Sequence, residues 1–158
     1  MYGDVVLENN NASFSGGGIF LEFGSAAYLH NNTIIRDCHT GGFGGGLGAV
    51  SGPQVDHIKA WLMDDVQITG CSAEIYGGGL FAAVAIAQSQ LDVLAQDRVV
   101  FQGNRAPNGG ALSLTGTGCQ ARLRGSVLFE NNRATFAGGG VMSWIGSELV
   151  IEGDNVTF

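Results

Sequence analysis

The chain has few charged residues, and cationic residues are the scarcer class. Only 13% of its 158 residues are charged, with 7 Lys and Arg against 14 Asp and Glu, and the formal net charge is −7. Nucleic-acid binding requires a basic footprint, and adsorption to anionic lipid requires basic residues as well. No run reaches the roughly 20 apolar residues of a membrane helix. The composition therefore argues against a nucleic-acid partner and against direct membrane insertion by this segment.

Cysteine, histidine and proline are also scarce, and their positions suggest no metal or cofactor. No two of the three cysteines form a C-x-x-C pair, the usual zinc-binding spacing. The histidines do not recur at a common position of the repeat described below. The glycine run 41–46 lacks the Lys-Ser/Thr of a phosphate-binding loop. The sequence thus predicts neither a metal site nor a cofactor.

Glycine is abundant, and its positions reveal an internal repeat. The chain has 27 glycines, yet 45% of its residues are hydrophobic, which is more than a disordered tail contains. Residues 127–141 and 5–19 are identical at nine of fifteen positions: Val, Glu, two Asn, Ala, Phe and three Gly. The copies span residues 5–32, 33–65, 66–98, 99–126 and 127–155, with a partial copy at 156–158.

These repeats predict an all-β fold, a right-handed parallel β-helix of about five coils. The third residues of the copies are separated by 28, 33, 33, 28 and 29 positions, and no period contains a helical pattern. Each period holds three short apolar runs bounded by turn residues, so we expect three short strands per coil. The third residues are Leu7, Ile35, Ile68, Phe101, Phe129 and Phe158.

We expect residues 1–158 to be a single β-helix domain that forms a section of a longer solenoid. Natural solenoids carry capping segments that cover their strand edges and apolar ends. No such segment is evident at either end of this sequence. The open ends therefore predict either further coils or a second protein chain stacked there.

One polar position of the repeat predicts a ladder along the helix axis. Stacked amide side chains can hydrogen-bond from coil to coil. The members of this Asn/Cys ladder are Asn10, Cys38, Cys71, Asn104 and Asn132. Two adjacent rungs at cysteine positions are compatible with a disulfide or with two buried thiols; we favour the thiols because in-register side chains point in parallel. Cys119, in a glycine-rich turn, is expected to be at least half exposed.

Two copies carry paired motifs that resemble those of a known family. Phe101-Gln-Gly-Asn104 precedes Gly109-Gly-Ala-Leu112, and Phe129-Glu-Asn-Asn132 precedes Gly138-Gly-Gly-Val141. These segments resemble the FxxN and GGA(I/L/V) repeats of the chlamydial polymorphic outer-membrane proteins, whose fold is related to the pectin-lyase-like β-helix. The resemblance implies a surface-displayed stalk or adhesin, at the cell surface or outside the cell. It supplies no catalytic residue.

The second strand of each repeat predicts an apolar stripe on the outside of the β-helix. Residues that alternate with the inward-facing ones point outward, and an exposed apolar patch usually marks a partner site. The alternative is that long loops fold over the stripe. The residues of this candidate partner face are Phe20, Val50, Phe81, Met142 and Trp144.

A different class of function would need acidic and basic side chains that converge. Polysaccharide lyases and hydrolases with a pectin-lyase-like fold use clustered carboxylates together with a Lys or Arg. The only candidates are Asp56, Lys59, Asp64 and Asp65, in the longest insertion of the repeat. The plainer interpretation is that they are solvated turn residues, since fold alone gives no reason to infer chemistry.

We therefore expect a non-catalytic structural or adhesive module of a larger surface or extracellular protein. It would act on a protein partner through its lateral apolar face and its ends. The alternatives are a carbohydrate-active enzyme that uses the four residues above, and passive glycan binding on the apolar stripe.

Overall fold

A computed structural model describes residues 4–52, 54–86 and 88–158. The described residues form 21 β-strands and no helix. The strands build four parallel sheets that run along a solenoid of about five coils, so the predicted parallel β-helix is confirmed. Each coil contributes one strand to each sheet. Every coil therefore has four strands, one more than the sequence predicted.

The four sheets, A to D, follow one another around each coil in chain order. Sheet A contains β1 Val6–Glu8, β5 Ile34–Arg36, β9 Val66–Thr69, β13 Val99–Gln102, β17 Ser126–Glu130 and β21 Asn155–Thr157. Sheet B contains β2 Asn11–Ala12, β6 His39–Thr40, β10 Ser72–Ala73, β14 Arg105–Asn108 and β18 Arg133–Ala137. Sheet C contains β3 Ile19–Glu22, β7 Leu47–Val50, β11 Leu80–Ala83, β15 Leu112–Thr115 and β19 Val141–Trp144. Sheet D contains β4 Ala26–Leu29, β8 His57–Met63, β12 Gln90–Gln96, β16 Cys119–Arg124 and β20 Glu148–Ile151.

The strands of sheet B are the ones that the sequence prediction missed, and their short length explains why. In the first three coils the strand has only two residues, beginning at Asn11, His39 and Ser72. Two residues cannot display an alternation of apolar and polar side chains, which is the usual signal for a strand. Parallel pairing with the coils on either side, rather than local propensity, fixes these residues as a strand.

The strand register follows the sequence repeat without slippage at the third residue of each copy. Leu7 pairs with Ile35, Ile35 with Ile68, and Ile68 with Phe101, which in turn pairs with Phe129. A slip by one residue would turn every side chain to the opposite face. The strand pairing on this sheet therefore agrees with the alignment of the sequence repeats.

The core is a continuous apolar column inside the solenoid. The residues after the glycine turn form one part of it: Leu47, Leu80 and Leu112 are fully buried, while Ile19 and Val141, in the first and last coils, are partly buried. The long strands of sheet D alternate fully buried positions with exposed or partly buried ones over seven residues in β8 and β12. This period of two is expected when one face of a sheet is buried.

The outward side chains of sheets A and D pair from coil to coil. Arg36 Nε donates to Glu8 Oε2 at 2.6 Å, and Gln102 Nε2 donates to Glu130 Oε2 at 2.6 Å. On sheet D, Arg124 Nε donates to Glu152 Oε2 at 2.5 Å. Each exposed pair contributes at most about 1 kcal/mol. Together they link successive coils along the outside of the β-helix.

Candidate lateral binding surface

The predicted partner face lies on the outside of sheet C. Phe20, Gly48, Phe81, Ser113 and Met142 are in register across its five strands. The next outward row, two residues further along each strand, is Glu22, Val50, Ala83, Thr115 and Trp144. The rows are those that the repeat predicts, but the exposure of their members differs.

Phe81 does not belong to an exposed face. Its side chain is only 5% exposed. The ring of Phe43 stacks on it at 4.9 Å, and the ring of Tyr76 stacks at 5.8 Å. Phe43 and Tyr76 lie in the turns that precede the glycines, so side chains from these turns cover the middle of the stripe. Aromatic side chains of short turns, and not long loops, therefore cover the stripe at this rung.

The exposed members of the partner face lie at the two ends of sheet C. Trp144 is 53% exposed, whereas Met142 and Val50 are partly buried, and Phe20 is 41% exposed at the other end of the sheet. A groove of about 450 Å³, here called the aromatic groove, runs beside Trp144. Its lining residues are Tyr76, Asn108, Phe136, Ala137, Met142, Ser143 and Trp144.

Sequence reasoning missed the most exposed aromatic residue of this groove. Phe136 is 86% exposed and lies on β18 of sheet B, directly before the turn to sheet C. The repeat offered a signal, because an aromatic residue shortly precedes the glycines in several copies, at Phe14, Phe43 and Tyr76 as well. The isolated bridges from Ser15 to Phe43 to Tyr76 to Asn108 place these turns one above the other.

The four candidate enzyme residues do not come together. Asp56 precedes β8, whereas Asp64 and Asp65 follow it. Eight residues of extended chain separate the ends by roughly 26 Å. The longest insertion of the repeat is therefore a seven-residue strand rather than a loop that could fold its carboxylates together. The enzyme alternative requires Asp56, Lys59, Asp64 and Asp65 to converge, and β8 holds Asp56 apart from Asp64 and Asp65.

Each of these residues has a local structural partner instead. Asp56 Oδ2 accepts a hydrogen bond from the Gly52 amide at 2.8 Å. The Lys59 ammonium lies 5.4 Å from the centroid of the Trp61 ring. Asp64 lies 3.8 Å from His30 Nδ1, and Arg98 donates to Asp65 at 2.5 Å. Asp64 and Asp65 are solvent-accessible, whereas the other carboxylate oxygen of Asp56, Oδ1, is buried and has no hydrogen-bond partner among the described residues.

The Asn/Cys ladder lies at the corner between sheets A and B. Asn104 Oδ1 accepts from the Cys71 amide at 3.0 Å, and Asn104 Nδ2 donates to Ile68 O at 2.8 Å and to Asn132 Oδ1 at 3.1 Å. In the same way, Asn132 Oδ1 accepts from the Asn104 amide at 3.0 Å. The two asparagines thus satisfy backbone groups of the preceding coil that would otherwise be buried without partners.

The cysteine rungs repeat part of this pattern with a weaker donor. Cys71 Sγ points at Ile35 O at 3.7 Å, and Cys38 Sγ points at Leu7 O at 3.7 Å. Both cysteines are buried free thiols in this structure. Burial raises the pKa of the Cys71 thiol to about 12, against a smaller opposing effect of the backbone hydrogen bond from Cys38.

Cys119 is buried, and the expectation that it is at least half exposed is wrong. It is the first residue of β16, where its side chain points into the core and its Sγ lies 3.5 Å from Ala82 O. The glycine-rich sequence before it indicated a turn, but the turn ends one residue earlier. Burial raises the pKa of its thiol to about 12.

The three histidines are distributed over different faces. His39 Nδ1 hydrogen-bonds Ser72 Oγ at 3.0 Å on sheet B, whereas His57 Nε2 lies 2.8 Å from Asp92 Oδ2 on sheet D. Within the described ranges, no group of three His, Cys, Asp or Glu side chains lies close enough to hold a metal ion. The same residues contain no helix long and apolar enough to cross a membrane.

Comparison of the chain with protein-family models, with curated proteins and with solved structures found no match. The β-helix is therefore established by its strand pairing alone. The resemblance to the chlamydial and pectin-lyase-like repeats has no support beyond the motifs that carry it.

Proposed function

We propose that the chain is a non-catalytic structural and adhesive module of a larger surface or extracellular protein. It acts on a protein partner through the aromatic groove and through its ends, where further coils or another chain would stack. The observation that carries the proposal is the groove itself, in which the Phe136 and Trp144 side chains are more than half exposed. Aromatic side chains of this kind supply large contact areas at protein interfaces.

The outer polar side chains support a structural role for the rest of the surface. The Glu8–Arg36, Asp65–Arg98 and Arg124–Glu152 pairs each join two adjacent coils. Side chains that bridge coils oppose bending and separation of the rungs. A β-helix stiffened in this way suits a spacer that holds a binding face away from its anchor.

The cell-surface location and the adhesin role come from the repeat motifs. Phe101-Gln-Gly-Asn104 and Phe129-Glu-Asn-Asn132 are the segments most similar to the chlamydial repeats. Their Phe and Asn side chains form the stacked and hydrogen-bonded columns of the interior. The motif therefore serves the fold, and its use in a surface protein is part of the proposal.

Glycan binding in the aromatic groove is the second candidate. Tyr76, Phe136 and Trp144 offer ring faces, and Asn108 and Ser143 add polar groups beside them. Sites that combine aromatic walls with a few polar groups fix the orientation of small ligands. A carbohydrate-active enzyme has less support, because its four candidate residues have separate partners.

The experiment that tests the adhesive proposal is site-specific photo-crosslinking of the full-length protein in the cells that produce it. A photoreactive phenylalanine is placed at Phe136 or Trp144, and at Phe23 as the matched control. Phe23 is a similarly exposed aromatic residue, in the turn between β3 and β4. We expect the two groove positions to yield one common polypeptide that the control position does not.

Two other results would redirect the interpretation. If the groove positions give only the adducts of the control, and Trp144→Ala weakens retention on a polysaccharide column without unfolding the protein, the glycan-binding alternative replaces the adhesive one. If purified protein degrades a polysaccharide and Asp64→Ala with Asp65→Ala abolishes the activity, the non-catalytic assignment is wrong.

A further inference from the structure

Sheet B carries an outward row that breaks the charge pattern of the other sheets. Its members, in register from coil to coil, are Asn11, His39, Ser72, Arg105 and Arg133. Arg105 and Arg133 therefore face each other directly on adjacent parallel strands. Among the strand pairs of the described residues, this is the one place where two charges of the same sign are direct register partners.

Like charges directly opposite each other destabilise a sheet. Neighbouring strands lie about 4.8 Å apart, so the two side chains leave the backbone within one rung of each other. Elsewhere on the outer surface, Arg36, Arg98 and Arg124 each reach a carboxylate of an adjacent coil. Within the described part of the chain, neither the Arg105 nor the Arg133 side chain has a hydrogen bond or an ion pair.

The two arginines lie along an open groove of about 330 Å³. Its lining residues are His39, Ser72, Ala73, Glu74, Arg105, Ala106, Pro107, Arg133 and Thr135. The Ser72 hydroxyl, on the rung before Arg105, hydrogen-bonds His39 Nδ1 at 3.0 Å. The groove thus presents two exposed guanidinium groups and two neutral hydroxyl-bearing side chains.

One carboxylate also lines the groove. Glu74 lies two residues after Ser72, on the outward side of the chain, and its Oε1 is 3.9 Å from His39 Nε2. It makes no ion pair with either arginine. Its negative charge lowers the affinity of the groove for an anion. Removing this charge should therefore strengthen anion binding, whereas removing either arginine should weaken it.

We propose that Arg105 and Arg133 together form a binding site for one tetrahedral oxyanion, a phosphate or a sulfate group. Guanidinium groups donate paired hydrogen bonds to such oxygens. A tetrahedral anion has three or four terminal oxygens, so each guanidinium can pair with its own oxygens, whereas two guanidinium groups on a carboxylate would have to share its two oxygens. The bound anion removes the repulsion between the two rungs. The site lies on a different sheet from the exposed part of the partner face and does not depend on the adhesive role.

The test uses inorganic phosphate, titrated at constant ionic strength while the arginine Nε–H signals are followed by NMR. We expect Arg105→Gln and Arg133→Gln each to raise the Kd for phosphate at least about tenfold, because each removes charged hydrogen bonds. Arg122→Gln is the matched control: Arg122 is also an exposed arginine, but on sheet D and opposite Leu94 and Val150. It should leave the Kd unchanged, while Glu74→Gln should lower it.

The proposal is overturned if the Arg105 and Arg133 variants bind phosphate like the wild type, or if all three arginine variants weaken binding equally. Phenyl phosphate separates the two sources of the anion. Tighter binding of phenyl phosphate than of phosphate would indicate that the natural ligand is a phosphate ester on a larger molecule. Equal affinity would indicate the free ion. Both of these outcomes require the arginine pair.

Discussion

The rings of Phe101 and Phe129 stack face to face in neighbouring coils, with centroids 5.0 Å apart and planes 2° from parallel. Phe158 continues the column above Phe129, at 4.9 Å and 4°. The spacing is that of the coils themselves. The repeat therefore stacks the aromatic rings of successive coils directly on one another, and Phe101, the first ring of this column along the chain, is fully buried.

Replacing Phe101 by alanine should lower the free energy of unfolding by about 3–5 kcal/mol, the usual cost of removing a buried aromatic ring. Loss of the stacking contact with Phe129 contributes to this cost. The measurement is denaturant unfolding followed by circular dichroism. Phe136→Ala is the matched control, since this ring is mostly solvent-exposed, and it should change stability by less than about 0.5 kcal/mol. Equal effects of the two variants would contradict the interior position of Phe101.

This column also shows what the sequence determines well. The third residue of each copy was placed correctly because one repeat corresponds to one coil of the solenoid. The strand register then follows from the need to keep the same face buried. Fold class, the parallel pairing and the inward row after the glycines all derive from that single periodicity. None of them depends on how an individual side chain packs against a neighbouring turn.

The errors arose where a structural feature has no periodic signal. The two-residue strands of sheet B are too short to alternate, so the fourth strand of each coil was missed. The burial of Phe81 depends on Phe43 and Tyr76, which reach it from turns rather than from its own strand.

Asn104→Ala should destabilise the β-helix by about 2–4 kcal/mol. The change leaves the Cys71 amide and the Ile68 carbonyl buried without their side-chain partner, and each such group costs about 1–3 kcal/mol. Asn104→Cys should cost less than Asn104→Ala, because cysteine occupies the same rung at positions 38 and 71, where Sγ faces the equivalent carbonyl.

The comparison is made by chemical unfolding of the two variants beside Asn10→Ala. Asn10 belongs to the same ladder but is exposed, and its amide contacts only Cys38 Sγ at 3.8 Å. Its replacement should cost less than about 1 kcal/mol. If Asn104→Cys proves as destabilising as Asn104→Ala, the cysteine rungs are not functional equivalents of the asparagine rungs.

Substitution should strongly destabilise the protein at one glycine, Gly78, and have almost no effect on stability at another, Gly103. A Cβ at Gly78 would lie 2.4 Å from Gly110 O and 2.5 Å from Arg105 N, both backbone atoms of the next coil. Gly78→Ala should therefore force adjacent coils apart and cost at least about 3 kcal/mol, beyond the range of ordinary overpacking. Gly103 has a φ of +65° and open space around it, with no atom closer than 3.9 Å to an added Cβ.

Gly103→Asn should be close to neutral, within about 0.5 kcal/mol. Asn9 and Asn131 occupy the corresponding turn in other coils with φ of 56° and 54°, and asparagine tolerates this left-handed region better than most residues. Thermal unfolding of Gly78→Ala and Gly103→Asn, measured side by side, tests both claims. A destabilised Gly103→Asn protein would show that the turn needs glycine for a reason other than backbone conformation.

The buried thiols should make stability depend on alkaline pH. Burial raises the pKa of both Cys71 and Cys119 from 9.0 to about 12. A raised folded-state pKa means that the folded protein holds its thiol proton more tightly than the unfolded chain does. The resulting stabilisation is complete below pH 9 and is lost progressively as the pH rises from about 9 to about 12.

The double variant Cys71→Ala with Cys119→Ala should have a flatter dependence of unfolding free energy on pH across this interval than the wild type. All other residues are common to the two proteins, so the difference between the two curves isolates the thiols. In parallel, a thiol-specific disulfide reagent at pH 8 should label the native protein far more slowly than urea-unfolded protein, because thiolate is the reactive form. Rapid labelling of Cys71 or Cys119 in the native state, or identical pH curves, would contradict their burial.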